Sequence, residues 1–280
     1  MTALNCVSYD PFSDPFYHET TARQAIENTL QIISNKGFKC IRTYNSQYYG
    51  IDIATYAQKY NLKLVLGVRW GESWTHIEVS TAVASCQKYP NAIIGIYPTN
   101  TQTLSDAGIA LGQIRANDGC AGVPFGIVLS IDSYLNIGNI EPFWDVIDWL
   151  GFSEFPFEKN VTNLSTRDYL KQQINKLRIN FDGKIYSKFR LVATGWPSDG
   201  MTQYGNVASV SKAKEYADYF AQMLCAGEFK TSWVSYFEFF DATYKKIDEA
   251  KSYEKHYGLA FLNETTKAYE PKWDIGNLHC

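Results

Sequence analysis

Three observations predict a closed parallel (β/α)8 barrel, an α/β fold of the TIM-barrel type. Eight apolar runs of strand length recur along 280 residues, amphipathic segments separate them, and no Gly-rich phosphate loop follows any of them. The last point weighs against a doubly wound open sheet. No internal repeat, low-complexity tract or linker interrupts the alternation, so residues 1–280 read as one barrel domain.

The strands are expected at Leu4–Tyr9, Cys40–Tyr44, Leu62–Trp70, Ile93–Tyr97, Gly126–Asp132, Leu150–Phe155, Arg190–Thr194 and Trp233–Phe240. Runs such as Leu62-Lys63-Leu64-Val65-Leu66-Gly67-Val68 are nearly continuous in apolar residues, as strands covered on both faces require. Amphipathic segments lie at Thr21–Asn35, stopped by Gly37, and at Ile51–Lys59, Ile77–Lys88 and Asp106–Asn117, then Ser165–Asn180 and Ser211–Ala226. Ser165-Thr166-Arg167-Asp168 has the form of a helix start, with a serine to cap the first amides and an aspartate in the first turn.

Composition excludes several classes. Twenty-six Lys and Arg against 29 Asp and Glu give a net charge of −3, which is no footprint for nucleic acid. No run of about 18 apolar residues offers a membrane span. The six cysteines (Cys6, Cys40, Cys86, Cys120, Cys225, Cys280) contain no C-x-x-C pair, which argues against zinc and thioredoxin chemistry; their even number allows disulfides or buried thiols. The four histidines (His18, His76, His256, His279) share no metal spacing, and no G-x-S-x-G elbow occurs. No metal or cofactor is expected. Three sequons, at Asn160, Asn163 and Asn263, fit a secreted, extracellular or cell-wall protein, although Met1 runs into Leu4-Asn5-Cys6-Val7-Ser8 with no signal-peptide core.

A barrel works at the carboxyl ends of its strands. Those ends read Tyr9-Asp10-Pro11-Phe12, Arg42-Thr43-Tyr44-Asn45, Trp70-Gly71-Glu72, Asn100-Thr101, Asp132-Ser133-Tyr134, Ser153-Glu154-Phe155-Pro156-Phe157, Thr194-Gly195-Trp196-Pro197-Ser198 and Glu238-Phe239-Phe240-Asp241-Ala242. Polar and aromatic residues together suit a neutral polyhydroxylated ligand, and the chain is rich in both tyrosine (20) and tryptophan (7).

The order of these pieces resembles glycoside hydrolase family 17, the β-1,3-glucanases, and especially its fungal glucanase and glucanosyltransferase branch. Ser8-Tyr9-Asp10-Pro11-Phe12 is similar to that family's Asn-Tyr-Ser-Pro-Phe, Ile41-Arg42-Thr43-Tyr44 to its Arg-x-Tyr strand, and Asp132-Ser133-Tyr134 to its Asp-Ser-Trp element. The Thr194–Ser198 turn is identical to the family's. Phe237-Glu238-Phe239-Phe240-Asp241 resembles Phe-Glu-Ala-Phe-Asp, and Glu254-Lys255-His256-Tyr257-Gly258-Leu259 resembles Glu-Arg-His-Trp-Gly-Leu.

The resemblance implies a retaining mechanism with two glutamates, one acid and one nucleophile. Thr101 stands at the acid position, Ala193 at the nucleophile position and Ala242 at a third family glutamate. Alanine has no functional group, a threonine hydroxyl is too weak an acid, and loss of general acid catalysis alone costs about 10²–10⁴ in rate. A single disabling substitution accounts for Ala193 alone. Divergence accounts for Thr101, Ala242 and the neighbouring Pro98-Thr99 as well.

No catalytic pair is therefore expected intact. The expected activity is lectin-like: a monomeric, non-hydrolysing barrel that binds β-1,3-glucan or laminari-oligosaccharides. Tyr9, Tyr44, Tyr134 and Trp196 are expected as ring contacts, and Asn100, Asp132 and Glu238 as hydroxyl partners. Lys245, with a family counterpart, lies near the site, and Glu154 is the candidate replacement carboxylate. Two other readings stay open. One is an active or experimentally inactivated glucanase or glucanosyltransferase, the active form recruiting Glu154 or Glu238. The other is an interaction protein whose groove is closed by Tyr97, Pro98 and Thr101.

Overall fold

The computed structural model describes residues 4–14, 17–101, 103–116, 118–137, 144–145, 147–161, 165–229, 231–263, 265 and 268–278. Eight parallel strands alternate with helices: β1 (Leu4–Ser8), β2 (Cys40–Arg42), β3 (Lys63–Arg69), β4 (Ile93–Thr99), β5 (Gly126–Val128), β6 (Trp149–Ser153), β7 (Phe189–Ala193) and β8 (Trp233–Tyr236). They form a five-stranded sheet in the order β8-β1-β2-β3-β4 and a three-stranded sheet in the order β5-β6-β7. Backbone hydrogen bonds join the sheets at both seams. Ile96 N donates to Pro124 O (2.9 Å) between β4 and β5, and Phe237 N donates to Thr194 O (2.8 Å) between β8 and β7.

Every expected strand is present, with shifted ends. Gly126–Asp132 is a strand only to Val128, because Ile131 and Asp132 already belong to the helix Ile131–Ile137. The last strand stops at Tyr236 rather than Phe240. The second helix begins at Ile53, since Ile51–Asp52 pairs antiparallel with Gln47–Tyr48.

The apolar periodicity explains the packing. The Ala22–Asn35 helix buries Ala22, Ala25, Ile26, Thr29, Leu30 and Ile33, one stripe at helical spacing. The helix Thr166–Asn180 starts as its sequence predicts, with the Ser165 hydroxyl accepting Asp168 N–H at 3.1 Å. Between the two sheets Cys6, Cys40, Val65, Tyr97, Trp149, Val192 and Trp233 form a separate cluster. Trp149 dominates it: a Cβ at Gly126 would lie 2.0 Å from its indole, so only glycine fits there. Disulfides Cys6–Cys40 and Cys86–Cys120 tie β1 to β2 and the Thr75–Lys88 helix to the segment before β5; Cys225 is also disulfide-bonded. The expected sequons include Thr162, Asn163, Leu164 and Glu264, which lie outside the described residues, as do His279 and Cys280.

Candidate functional site

At the carboxyl ends of β8, β1, β2 and β3 a cleft of about 430 Å³ opens. Its charged groups are Asp10, Arg69, Glu238 and Lys245, and its rings are Phe12, Tyr44, Trp74, Phe237 and Tyr244. Asp10 caps the turn after β1, with Oδ1 accepting Phe12 N–H (3.1 Å) and Oδ2 accepting the Tyr244 hydroxyl (3.0 Å). Burial raises its carboxyl above the usual carboxylate range.

Glu238 follows β8 and is 2% exposed. Burial pushes its carboxyl up to about 8, with Asp10 adding to the rise and Lys245 opposing it. Its Oε1 has no hydrogen-bond partner. At neutral pH this side chain is therefore mostly a neutral acid beside a cleft, able to donate one hydrogen bond.

The walls are held from behind. The buried Glu78 Oε2 accepts the Ser46 N–H (2.7 Å) and the Arg69 N–H (3.1 Å), fixing the loop after β2 against the end of β3. Arg42 lies between the rings of Tyr44 and Tyr97, 4.9 and 5.0 Å from their centroids, and its Nη1 donates to Val192 O (3.2 Å). Lys272 Nζ donates to Ser198 Oγ and Asp241 Oδ1, both at 2.6 Å, fastening the C-terminal hairpin to the turn after β7 and the loop after β8.

The structure gathers Tyr44, Glu238 and Lys245 at this cleft and places the other expected contacts elsewhere. Tyr9 and Tyr134 are corrected to core residues. Tyr9 is buried, and Tyr134 packs behind the sheet against Phe189 (5.1 Å), its hydroxyl on Gly151 O (2.9 Å). Tyr9 continues the alternation of β1 to the helix-facing side, and Tyr134 lies on the buried face of the Ile131–Ile137 helix. Trp196 is likewise almost fully buried, its ring against Phe157 (5.2 Å) and its Nε1 donating to Val207 O (3.0 Å).

Asp132 is exposed on the first turn of its helix. Glu154 is buried and accepts the Tyr169 hydroxyl (3.0 Å), with Lys159 at 3.8 Å; it does not line the cleft. Asn100 takes a left-handed φ of 62° and spends its amide on Trp70 O (3.1 Å), bracing the ends of β3 and β4.

The three positions expected to lack carboxylates differ among themselves. Ala193 and Ala242 are buried, and Thr101 is half-buried. Phe155, Phe237 and Tyr257 pack edge to face near the Ala193–Gly195 turn, with centroids 5.2–5.5 Å apart. Tyr97 is buried with its hydroxyl on Thr43 O (2.8 Å), and Tyr97, Pro98 and Thr101 are not among the residues that line the cleft. Sequence reasoning missed Arg69, Trp74 and Tyr244 as lining residues, and reached Asp10, Phe12, Asn45 and Phe237 only as strand-end or motif positions. Trp74 and Tyr244 sit in loops just past β3 and β8, so aromatic residues a few positions beyond strand ends were the available signal.

Eight parallel strands with an aromatic, carboxyl-bearing cleft at their carboxyl ends form an α/β scaffold able to hold a neutral polyhydroxylated ligand where such folds carry their sites. The chain belongs to the BtgE/BtgC glycoside hydrolase domain family, whose profile matches residues 6–258. It is 28% identical over 161 residues to the probable glucan endo-1,3-beta-glucosidase eglC of Aspergillus oryzae, a match covering 54% of this chain and 33% of that one. The Emericella nidulans protein of the same name is 26% identical over 165 residues, again covering 54% and 33%. The chain thus spans about a third of the length of these curated relatives.

An active-site mutant of the Rhizomucor miehei beta-1,3-glucanosyltransferase in complex with laminaritriose superposes with a TM-score of 0.67, at 16% identity and 96% coverage of both chains. CJP38, a beta-1,3-glucanase and allergen of Cryptomeria japonica pollen, gives 0.67 at 14% identity and 98% coverage of both. At these identities the likeness is one of fold. The family model places the chain among glycoside hydrolases, and these structures, like that of a glycoside hydrolase family 17 beta-1,3-glucanosyltransferase from Rhizomucor miehei, share its fold.

Proposed function

We propose that this protein closes its eight strands into a (β/α)8 barrel and holds a β-1,3-glucan chain in the cleft without cutting it by the family's two-carboxylate route. The observation that carries the reading is the cleft lining: five aromatic rings around two carboxyls, Asp10 and the buried, neutral Glu238, and two cations. Rings supply faces for pyranose stacking, and Asn45, Glu238 and Lys245 supply hydroxyl partners. The absence of a carboxyl at Ala193 and Thr101 supports the non-hydrolytic part. A retaining reaction needs a carboxylate on the anomeric carbon and an acid on the leaving oxygen, and a methyl group and a hydroxyl supply neither.

Arg42 supports the same account, since this buried cation bonds the carbonyl of Val192, next to Ala193, and is flanked by tyrosines. The protein acts as a monomer outside the cell or in its wall, where disulfides such as Cys6–Cys40 persist.

Calorimetric titration with laminaritriose tests the binding claim. A saturable heat is expected, weakened about tenfold by Trp74→Ala, the loss of one stacking ring. A flat titration of the unaltered protein would sink it. One observation favours a second reading, hydrolysis with Glu238 as recruited acid: the carboxyl is protonated at neutral pH and one of its oxygens is unpartnered. That reading predicts oligosaccharide products from laminarin that disappear with Glu238→Gln.

A further inference from the structure

A second pocket, of about 600 Å³, lies between the loop after β7 and the first turns of the Thr166–Asn180 and Val210–Cys225 helices. It is on the same end of the fold as the cleft and shares no lining residue with it. Trp196, Tyr204, Tyr216 and Tyr219 line it. Its cations are already partnered: Arg167 with Glu228 (3.5 Å) and Lys212 with Glu215 (2.7 Å). The pocket is thus aromatic and locally charge-balanced, which disfavours an anion and suits a neutral polyhydroxylated ligand.

The presentation of Tyr204 is the telling feature. Gln203 and Asn206 exchange backbone hydrogen bonds at 3.1 and 2.7 Å, closing a two-residue hairpin. Its central residues, Tyr204 and Gly205, have φ of 49° and 84°, the pair of left-handed conformations that such turns reserve for Asn, Asp and Gly. A tyrosine there is sterically disfavoured. The strain is not offset by burial, because the residue is 62% exposed. The hairpin is also anchored, with Asn206 Nδ2 donating to Phe157 O (2.9 Å) and Lys159 O (3.0 Å). A strained, exposed ring on an anchored tip, beside an aromatic pocket, is an arrangement that a bound ring would explain.

We infer that this pocket is a second oligosaccharide site, with Tyr204 as its stacking platform, and that one polysaccharide chain engages it and the cleft together. The identity of the sugar rests on the glucan reading above; the site itself does not. Two contacts on one chain raise retention on polymer far more than affinity for a trisaccharide.

The test uses the full chain and its Tyr204→Asn, Tyr204→Trp and Trp74→Ala variants, each measured for retention on insoluble β-1,3-glucan and for laminaritriose binding by calorimetry. Tyr204→Asn keeps a residue that tolerates the left-handed turn while removing the ring. It is expected to weaken retention on the polymer about tenfold, with Tyr204→Trp retained like the unaltered protein. Unchanged retention of Tyr204→Asn overturns the second site, and so does an unaltered protein that fails to bind the polymer. If Tyr204→Asn releases the polymer while Trp74→Ala changes neither measurement, the second site stands and the cleft reading fails.

Discussion

The ends of the five-stranded and three-stranded sheets treat charge differently. Around β8, β1, β2 and β3 the charged groups Asp10, Arg69, Glu238 and Lys245 converge on one aromatic cleft. At the ends of β6 and β7 the side chains are Ser153 and Ala193, and the nearby carboxylate, Glu154, is taken up by Tyr169 and Lys159. Aromatic packing by Phe155, Phe237 and Tyr257 covers the turn that follows β7. Buried ionisable groups cost free energy unless partnered or occupied in function. On the proposed reading, the groups converging at the ends of β8, β1, β2 and β3 are the contacts that hold a ligand, while Ser153 and Ala193 at the ends of β6 and β7 carry no carboxyl to cleave it.

The largest expected effect tests whether the two sheets share one core. Trp149 of β6 reaches β4 and β5 around Gly95 and Gly126 and stacks edge to face on Trp233 of β8 at 5.1 Å. Trp149→Ala should lower the unfolding free energy by about 3–5 kcal/mol in a denaturant titration. A loss of under 1 kcal/mol would mean that the sheets are stabilised separately.

The next effect concerns the retained acid. Glu238 ionises at about 8 when folded and near 4.5 ordinarily, so between those values the folded state binds more protons than the unfolded state. Unfolding free energy should therefore fall as pH rises from 4.5 to 8, with a slope approaching about 1.4 kcal/mol per pH unit. Glu238→Gln should flatten that window, and an unchanged slope would show that another group dominates it.

The smallest effect sharpens the contrast. Glu154→Gln, on the side without the cleft, should leave laminaritriose affinity within about twofold. A larger loss would move the ligand toward β6.

The strands and most helices were readable because burial on both faces leaves long apolar runs, and Ser165 announced its helix by capping chemistry. Element ends were less so. Ile131 and Asp132 look strand-like in sequence but enter a helix, since apolar character alone does not distinguish a buried strand end from a helix start. For the site, the motif positions include Tyr44, Glu238 and Lys245, which line the cleft. The same motifs also contain Tyr9 and Tyr134, whose rings turn into the core, and Trp196, which packs on Phe157 away from this cleft. A motif fixes where the backbone goes, while side-chain direction depends on the element a residue falls on: Tyr9 extends the phase of β1, Tyr134 lies on a helix and Trp196 in the turn after β7. Trp74, Tyr244 and the Tyr204 hairpin come from loops whose placement depends on tertiary anchors such as Glu78 and Asn206.

The claim that the groove holds glucan without cutting it is tested most directly by prolonged incubation with laminarin, measuring new reducing ends. The unaltered protein is compared with a Thr101→Glu/Ala193→Glu double variant. The expected result is no products from the unaltered chain and cleavage regained in the double variant. Reducing ends released by the unaltered chain would contradict the account.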